Sequence, residues 1–141
     1  MKKKNVLWVD DSINDREFKD VLDRFGEVYE VKAFSNVDNF LNYTEKIATS
    51  AEDVMGIIID VMMPAGDILN ADETDRGLKT GIVLAKRLRN EESIFKKTPI
   101  VICSLSKRFA NMDLPWGTIY IKGHLDVDFF TKFEAFCLSL S

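Results

Sequence analysis

The chain has 141 residues, enough for one domain with a full core and too few for two ordinary ones. Nineteen Lys and Arg against 23 Asp and Glu leave a formal charge of -4, and apart from Lys2, Lys3 and Lys4 the basic residues are scattered, which gives nucleic-acid binding no support. No apolar run approaches the roughly 18 residues of a membrane span, and the N-terminus lacks the apolar core of a secretion signal, so the expected location is the cytoplasm.

Val6-Leu7-Trp8-Val9 is an apolar run that reads as a buried strand and ends in the acid pair Asp10-Asp11. Phe18, Val21, Leu22 and Phe25 then recur at helical spacing, with Ser12 or Asn14 as candidate caps and Gly26 as the stop. Val28 to Phe34 reads as a second strand. Ser35, followed three residues later by Asp38, opens a second helix through Val37, Phe40 and Leu41. Residues 47–55 read as polar linker.

Gly56-Ile57-Ile58-Ile59 is the most apolar stretch of the chain, and it delivers Asp60 at its carboxyl end. A β-branched run without alternation is the mark of a parallel strand covered on both faces. Residues 65–80 follow as a polar segment carrying Asp67, Asp72, Glu73 and Asp75, long for a connection in an α/β unit. The spacing of these acids lacks the alternation and central glycine of a calcium loop, so the segment reads as a surface flap that could gate the site or choose a partner. Ile82, Val83, Ala85 and Leu88 give a third helix ending near Asn90. Pro99 to Ser104 is a fourth strand, closing on a hydroxyl. Asn111, Pro115 and Gly117 interrupt the interval before the fifth strand, Thr118 to Lys122, so any helix there is short. Phe130, Phe133, Phe136, Cys137 and Leu140 make the last helix amphipathic, and its aromatics read as core. Cys103 and Cys137 lie in apolar segments without metal-type spacing and read as reduced core thiols.

Strands alternating with helices imply a parallel sheet with right-handed crossovers, so the carboxyl ends of all strands share one edge. At that edge the sequence places Asp10, Asp11, Asp60, Ser104 and Lys122, drawn from four strands. Each alone has a plain explanation as a cap, a turn residue or a solvated end, but their convergence is a pattern of its own.

In Val9-Asp10-Asp11, Asp60-Val61-Met62-Met63-Pro64, Pro99-Ile100-Val101-Ile102-Cys103-Ser104 and Tyr120-Ile121-Lys122 the chain resembles the receiver domain of response regulators in two-component signalling. The resemblance spans nearly the whole chain. It implies a flavodoxin-like, doubly wound α/β fold with a five-stranded parallel sheet of order 2-1-3-4-5, from which this chain departs in a shortened or absent fourth helix. It implies a single receiver domain over residues 1–141 with no output domain. By the same resemblance Asp60 is the phosphoacceptor, and Asp11 a direct ligand of Mg2+ with Asp10 assisting through water. The main-chain carbonyl of Met62 completes the ligands, Ser104 bonds the phosphoryl group and Lys122 pairs with it. The implied partners are a sensor histidine kinase or phosphotransfer protein and a downstream protein target, with no nucleic acid, no membrane and no enzymatic output.

The chemistry asks for these residue types. Two carboxylates about 4 Å apart repel by roughly 4 kcal/mol at an effective dielectric near 20, and a hard dication offsets that cost. Mg2+ takes octahedral oxygen ligands and keeps several waters, which a few acids and phosphate oxygens suit. Positioning and charge neutralisation carry most of phosphoryl transfer, and the resulting acyl phosphate is labile, as a reversible signal requires.

The sequence also departs from the receiver pattern. Gly123 stands where proline usually follows the lysine, Ile119 holds the position of the switching aromatic, and Leu105 replaces a small residue after Ser104. Tyr120, one residue beyond Ile119, is expected on the opposite face of its strand. His124, the only histidine, stands two residues past a strand end and reads as a surface residue, and no helical bundle surrounds it as a phosphohistidine role would demand. Gly123, Ile119 and the shortened fourth helix argue for the alternative of a pseudo-receiver, an interaction module with the same fold that does not use phosphate, while the intact acids, Ser104 and Lys122 argue against it. A haloacid-dehalogenase-type phosphatase needs acids two apart, where this chain has Asp10 and Ser12, and a flavodoxin needs a phosphate-binding loop where Asp10, Asp11 and Asp15 would repel phosphate.

Overall fold

The computed structural model describes residues 3–46, 53–90, 93–104, 114, 116–122 and 128–140, with Lys122 represented by its backbone alone. The apolar runs form five strands, β1 (Asn5–Val9), β2 (Glu30–Phe34), β3 (Val54–Asp60), β4 (Ile100–Ser104) and β5 (Thr118–Lys122). The helices are α1 (Lys19–Gly26), entered through a 3-10 turn over Arg16–Phe18, then α2 (Val37–Lys46), α3 (Thr80–Leu88) and α4 (Phe129–Ser139). All strand pairs are parallel and the spatial order is β2-β1-β3-β4-β5, as expected. The shortened fourth helix falls on 105–113, outside the described residues.

Successive side chains along a strand point to opposite faces, and both faces of this sheet are covered. Leu7, Val9, Ile57, Ile59, Ile100 and Ile102 pack against Phe40 and Leu41 of α2 and Ile82, Ala85 and Leu88 of α3. Val6, Trp8, Ile58, Val101 and Cys103 pack on the other side against Phe25 of α1 and Phe129, Phe130 and Phe133 of α4. Phe25 sits at the centre of that second layer, with ring centroids 4.9 Å from Phe130 and 5.2 Å from both Trp8 and Phe133. The aromatic stripe of the last helix is therefore core, and Cys103 and Cys137 are buried free thiols.

Local details differ from the sequence reading where a longer-range partner wins. Neither Ser12 nor Asn14 caps α1. The Ser12 N–H instead donates to Asp10 Oδ1 at 2.9 Å, and the chain makes a series of turns before the helix begins at Lys19. Ser35 does not cap α2 either. Asn36, immediately before the helix, does, its Oδ1 accepting from the Asn39 N–H at 2.8 Å, and Asp38 is engaged elsewhere. The Tyr29 N–H donates to Phe25 O, which extends the turn after α1 through Val28 and delays β2 to Glu30. β3 starts at Val54, inside the stretch read as linker, since Val54 pairs with Asn5.

Residues 65–80 are a folded turn cluster and not a free flap. Asp38 on α2 accepts hydrogen bonds from the Asp67 N–H at 2.9 Å and the Ile68 N–H at 3.1 Å. Leu69 and Ala65 join the core beneath α2 and α3, and Thr74 is fully buried. The Thr80 hydroxyl donates to Met63 O, and the Met63 N–H donates to Gly77 O at 3.1 Å, so both ends of the segment are tied at the foot of α3.

Candidate functional site

Chain order reverses across the sheet between the parallel strands β1 and β3, since the chain goes from β1 outward to β2 on one side and from β3 outward to β4 and β5 on the other. In an open α/β sheet that switch point opens a crevice at the carboxyl ends of the strands, where no crossover helix covers the edge. The last register pair of the two strands is Val9 with Ile59, and the next residue on each is an aspartate. Asp10, Asp11 and Asp60 meet there, with one carboxylate oxygen from each lying within 4.8 Å of the other two.

The three acids differ in setting. Asp10 is 1 % exposed, whereas Asp60 is half-buried and Asp11 exposed. Burial pushes the Asp10 carboxyl up to about 6, with the Asp11 and Asp15 charges adding to the rise and the Ser12 N–H opposing it. Burial is also the main cause that pushes Asp60 up to about 8. The Asp10 and Asp11 charges add to it, and the N–H groups of Met62 and Val61 oppose it. Two acids held against their ordinary ionisation, with a third open to water beside them, form a pocket short of positive charge. A divalent cation with oxygen preference fits that donor set, and the exposed side at Asp11 leaves room for the waters that Mg2+ retains.

Two features fix Asp60. Its strand partner is Cys103, and the following Val61 N–H donates to Cys103 O at 3.1 Å. The first turn of α3 also lies directly on the Asp60-Val61 backbone. The Gly81 N–H donates to Val61 O at 2.9 Å, and a Cβ at Gly81 would stand 2.8 Å from both the Asp60 carbonyl carbon and Val61 Cα. Only glycine allows that approach. Gly81 and Thr80 were missed from the sequence, where the apolar spacing of the helix begins only at Ile82.

Ser104 ends β4 as a buried residue and lies in register with Lys122 on β5. The Tyr120 hydroxyl, two residues before Lys122, donates to Ser104 O at 3.1 Å. Tyr120 packs with the α2 and α3 layer and Ile119 with the α1 and α4 layer, so they face opposite sides of the sheet as expected. The Lys122 side chain, Leu105, Gly123 and His124 lie outside the described residues. Met62 follows Val61 in the turn after β3 with its side chain exposed.

No family model matches the sequence, and no curated protein matches it. Solved structures do. The chain is similar to a putative response regulator from Chloroflexus aurantiacus, with 20 % identity, 97 % of this chain and 99 % of that chain covered, and a TM-score of 0.65. A two-component response regulator from Cytophaga hutchinsonii gives 17 % identity, 99 % coverage of both chains and a TM-score of 0.63. A response regulator receiver domain from Rhodospirillum rubrum gives 17 % identity, 96 % and 92 % coverage and a TM-score of 0.62. The fold is that of response regulator receiver domains.

Proposed function

We propose that the chain is a phosphoacceptor signalling module that takes a phosphoryl group onto Asp60 from a histidine kinase or phosphotransfer protein and thereby switches a protein-protein contact. The observation that carries this reading is the meeting of Asp10, Asp11 and Asp60 at the switch point of a receiver fold. Asp10, Asp11 and Asp60 would hold a Mg2+ ion, with Asp11 and Asp60 as ligands, Asp10 assisting through water and the Met62 carbonyl completing the protein's share. When bound, the ion supplies positive charge that ionises Asp60 and neutralises phosphoryl oxygens.

An Asp60 carboxylate oxygen attacks the phosphorus of a phosphohistidine, an O–P bond forms, and the P–N bond breaks. Its electron pair stays on the imidazole nitrogen, which takes up a proton from water. Ser104 donates a hydrogen bond to the transferred group, and Lys122 pairs with its charge. The new contacts at the ends of β4 and β5 shift the population between two arrangements of that edge. Among the described residues no helix is long and apolar enough to cross a membrane.

Incubation with a small phosphodonor and Mg2+ followed by intact-mass measurement tests the reading. The mass of one phosphoryl group is gained by the native chain and not by Asp60→Asn. A native chain that gains nothing overturns the reading in favour of the pseudo-receiver.

A further inference from the structure

The amino edge of the sheet, opposite Asp60, carries the reverse charge. Arg89 at the end of α3, Lys96 and Lys97 before β4, and Trp116 before β5 line one open hollow of about 560 Å³. An adjoining hollow of about 350 Å³ shares Lys96 and Lys97 and adds Lys4 beside apolar Val54, Met55 and Ile94. Among the described residues none of these four cations pairs with a carboxylate, although the whole chain has a net charge of -4.

Trp116 is 63 % exposed, the most exposed large apolar side chain among the described residues, yet it is backed by a fixed group. The Arg89 guanidinium lies over its ring at 5.7 Å. Arg89 is itself anchored, its Nη1 donating to Phe95 O at 2.9 Å and its Nη2 to Gly117 O at 2.6 Å. Gly117 turns at a φ of 72°, and a Cβ there would stand 2.9 Å from Arg89 Nη2, so the glycine serves both the turn and the arginine. Burial without a neutralising carboxylate pulls the Arg89 guanidinium down to about 10.

An exposed tryptophan held in place by an arginine and flanked by two free lysines is the composition of an interface anchor, since Trp and Arg supply a large share of binding energy where they are pre-positioned. From these residues we infer that the Arg89, Lys96, Lys97 and Trp116 surface docks an acidic segment of a partner protein, with an apolar or aromatic side chain of that segment on the Trp116 ring. Charge complementarity selects the acidic partner. A nucleic acid is disfavoured because the cations form one small cluster on a net acidic chain. The surface is independent of the phosphoacceptor reading, and its place leaves the Asp60 edge open to a donor. α3 has Gly81 on the Asp60 backbone in its first turn and Arg89 as its C-cap, and the Trp116-Gly117 turn leads directly into β5, which ends at Lys122, so two elements connect the two edges.

The test uses the full chain and fluorescence anisotropy with a labelled capped octapeptide of alternating glutamate and phenylalanine. Lysine–phenylalanine and glutamate–serine octapeptides and an oligothymidylate serve as competitors and controls. The glutamate–phenylalanine peptide binds, and its affinity falls roughly tenfold or more in Trp116→Ser and in Lys96→Glu with Lys97→Glu. It is unchanged in Asp60→Asn. In the nitrogen-15 spectrum the Trp116 indole N–H shifts on binding and that of Trp8 does not. Unaltered melting temperatures show that the variants fold, and phosphoryl uptake by Trp116→Ser separates this inference from the phosphoacceptor reading. The inference is overturned if the native chain fails to bind the peptide at millimolar concentration, if the variants bind as well as the native chain, or if oligothymidylate binds more tightly than the peptide.

Discussion

Replacing Asp60 by asparagine removes a group that opposes folding when no cation is bound. An unfolded carboxyl ionises at its ordinary 3.8, whereas in the folded chain burial and the two neighbouring acids hold Asp60 at about 8. At pH 7 the unfolded state has lost this proton and the folded state keeps it, a difference of roughly three decades, or about 4 kcal/mol at about 1.36 kcal/mol per decade. Water reaches the half-buried carboxylate, and screening reduces the penalty to about 2 kcal/mol. The sign is that of an acid raised on folding. The penalty is absent below the ordinary carboxyl range, grows as pH rises through it, and is complete near the folded value. Metal-free protein therefore loses stability from about pH 4 to about pH 8, with Asp10, raised to about 6, contributing over the lower part of that window. In thermal melts with a chelator, Asp60→Asn melts roughly 6 °C above the native chain at pH 7.5, at about 3 °C per kcal/mol for this size, and its pH profile is flatter. Added Mg2+ raises the native melting temperature, more at pH 8 than at pH 5, because the ion competes with protons for the same oxygens. An asparagine variant no more stable than the native chain, or a native chain that gains stability between pH 5 and pH 8 without metal, refutes this account of the pocket.

Two further substitutions probe how the pocket is held. Gly81→Ala sets a methyl group against the Asp60-Val61 backbone, destabilises the chain by about 1–3 kcal/mol, and slows phosphoryl uptake beyond what the lost stability explains. A melting curve and an uptake time course together check it, and a native rate shows that α3 does not position Asp60. Asp38→Ala strips the acceptor from the Asp67 and Ile68 N–H groups. The expected cost is about 1–2 kcal/mol, with faster cleavage by a low-specificity protease within residues 65–80; unchanged cleavage shows that Leu69 and Thr74 hold the segment unaided.

The parts of this fold legible in sequence are those set by local burial. Ile57-Ile58-Ile59 and Val6-Leu7-Trp8-Val9 are apolar on both faces because helices cover both faces, and the aspartates that end them mark the open edge. What was not legible depends on partners far away in the chain. Asp38 looks like a capping acid beside Ser35, but its carboxylate is taken by backbone N–H groups 29 and 30 residues on, and Asn36 caps the helix instead. Ser12 looks like a helix cap, but the Asp10 carboxylate captures its N–H and the helix starts later. The polar composition of residues 65–80 concealed a segment tied by Asp38, Thr80 and Gly77, since backbone hydrogen bonds leave no trace in side-chain hydropathy. In the site itself the three acids were readable from strand ends, whereas Gly81 was not, because the need for glycine arises from the backbone of another element.

Borohydride trapping tests the central claim most directly. It reduces an acyl phosphate to an alcohol, so peptide mapping after phosphodonor, Mg2+ and borohydride reports the atom that took the phosphoryl group. The account predicts homoserine at position 60, dependent on Mg2+ and lost in Asp11→Asn. Homoserine at another acid, or an unmodified Asp60 in a chain that has gained phosphate, contradicts it.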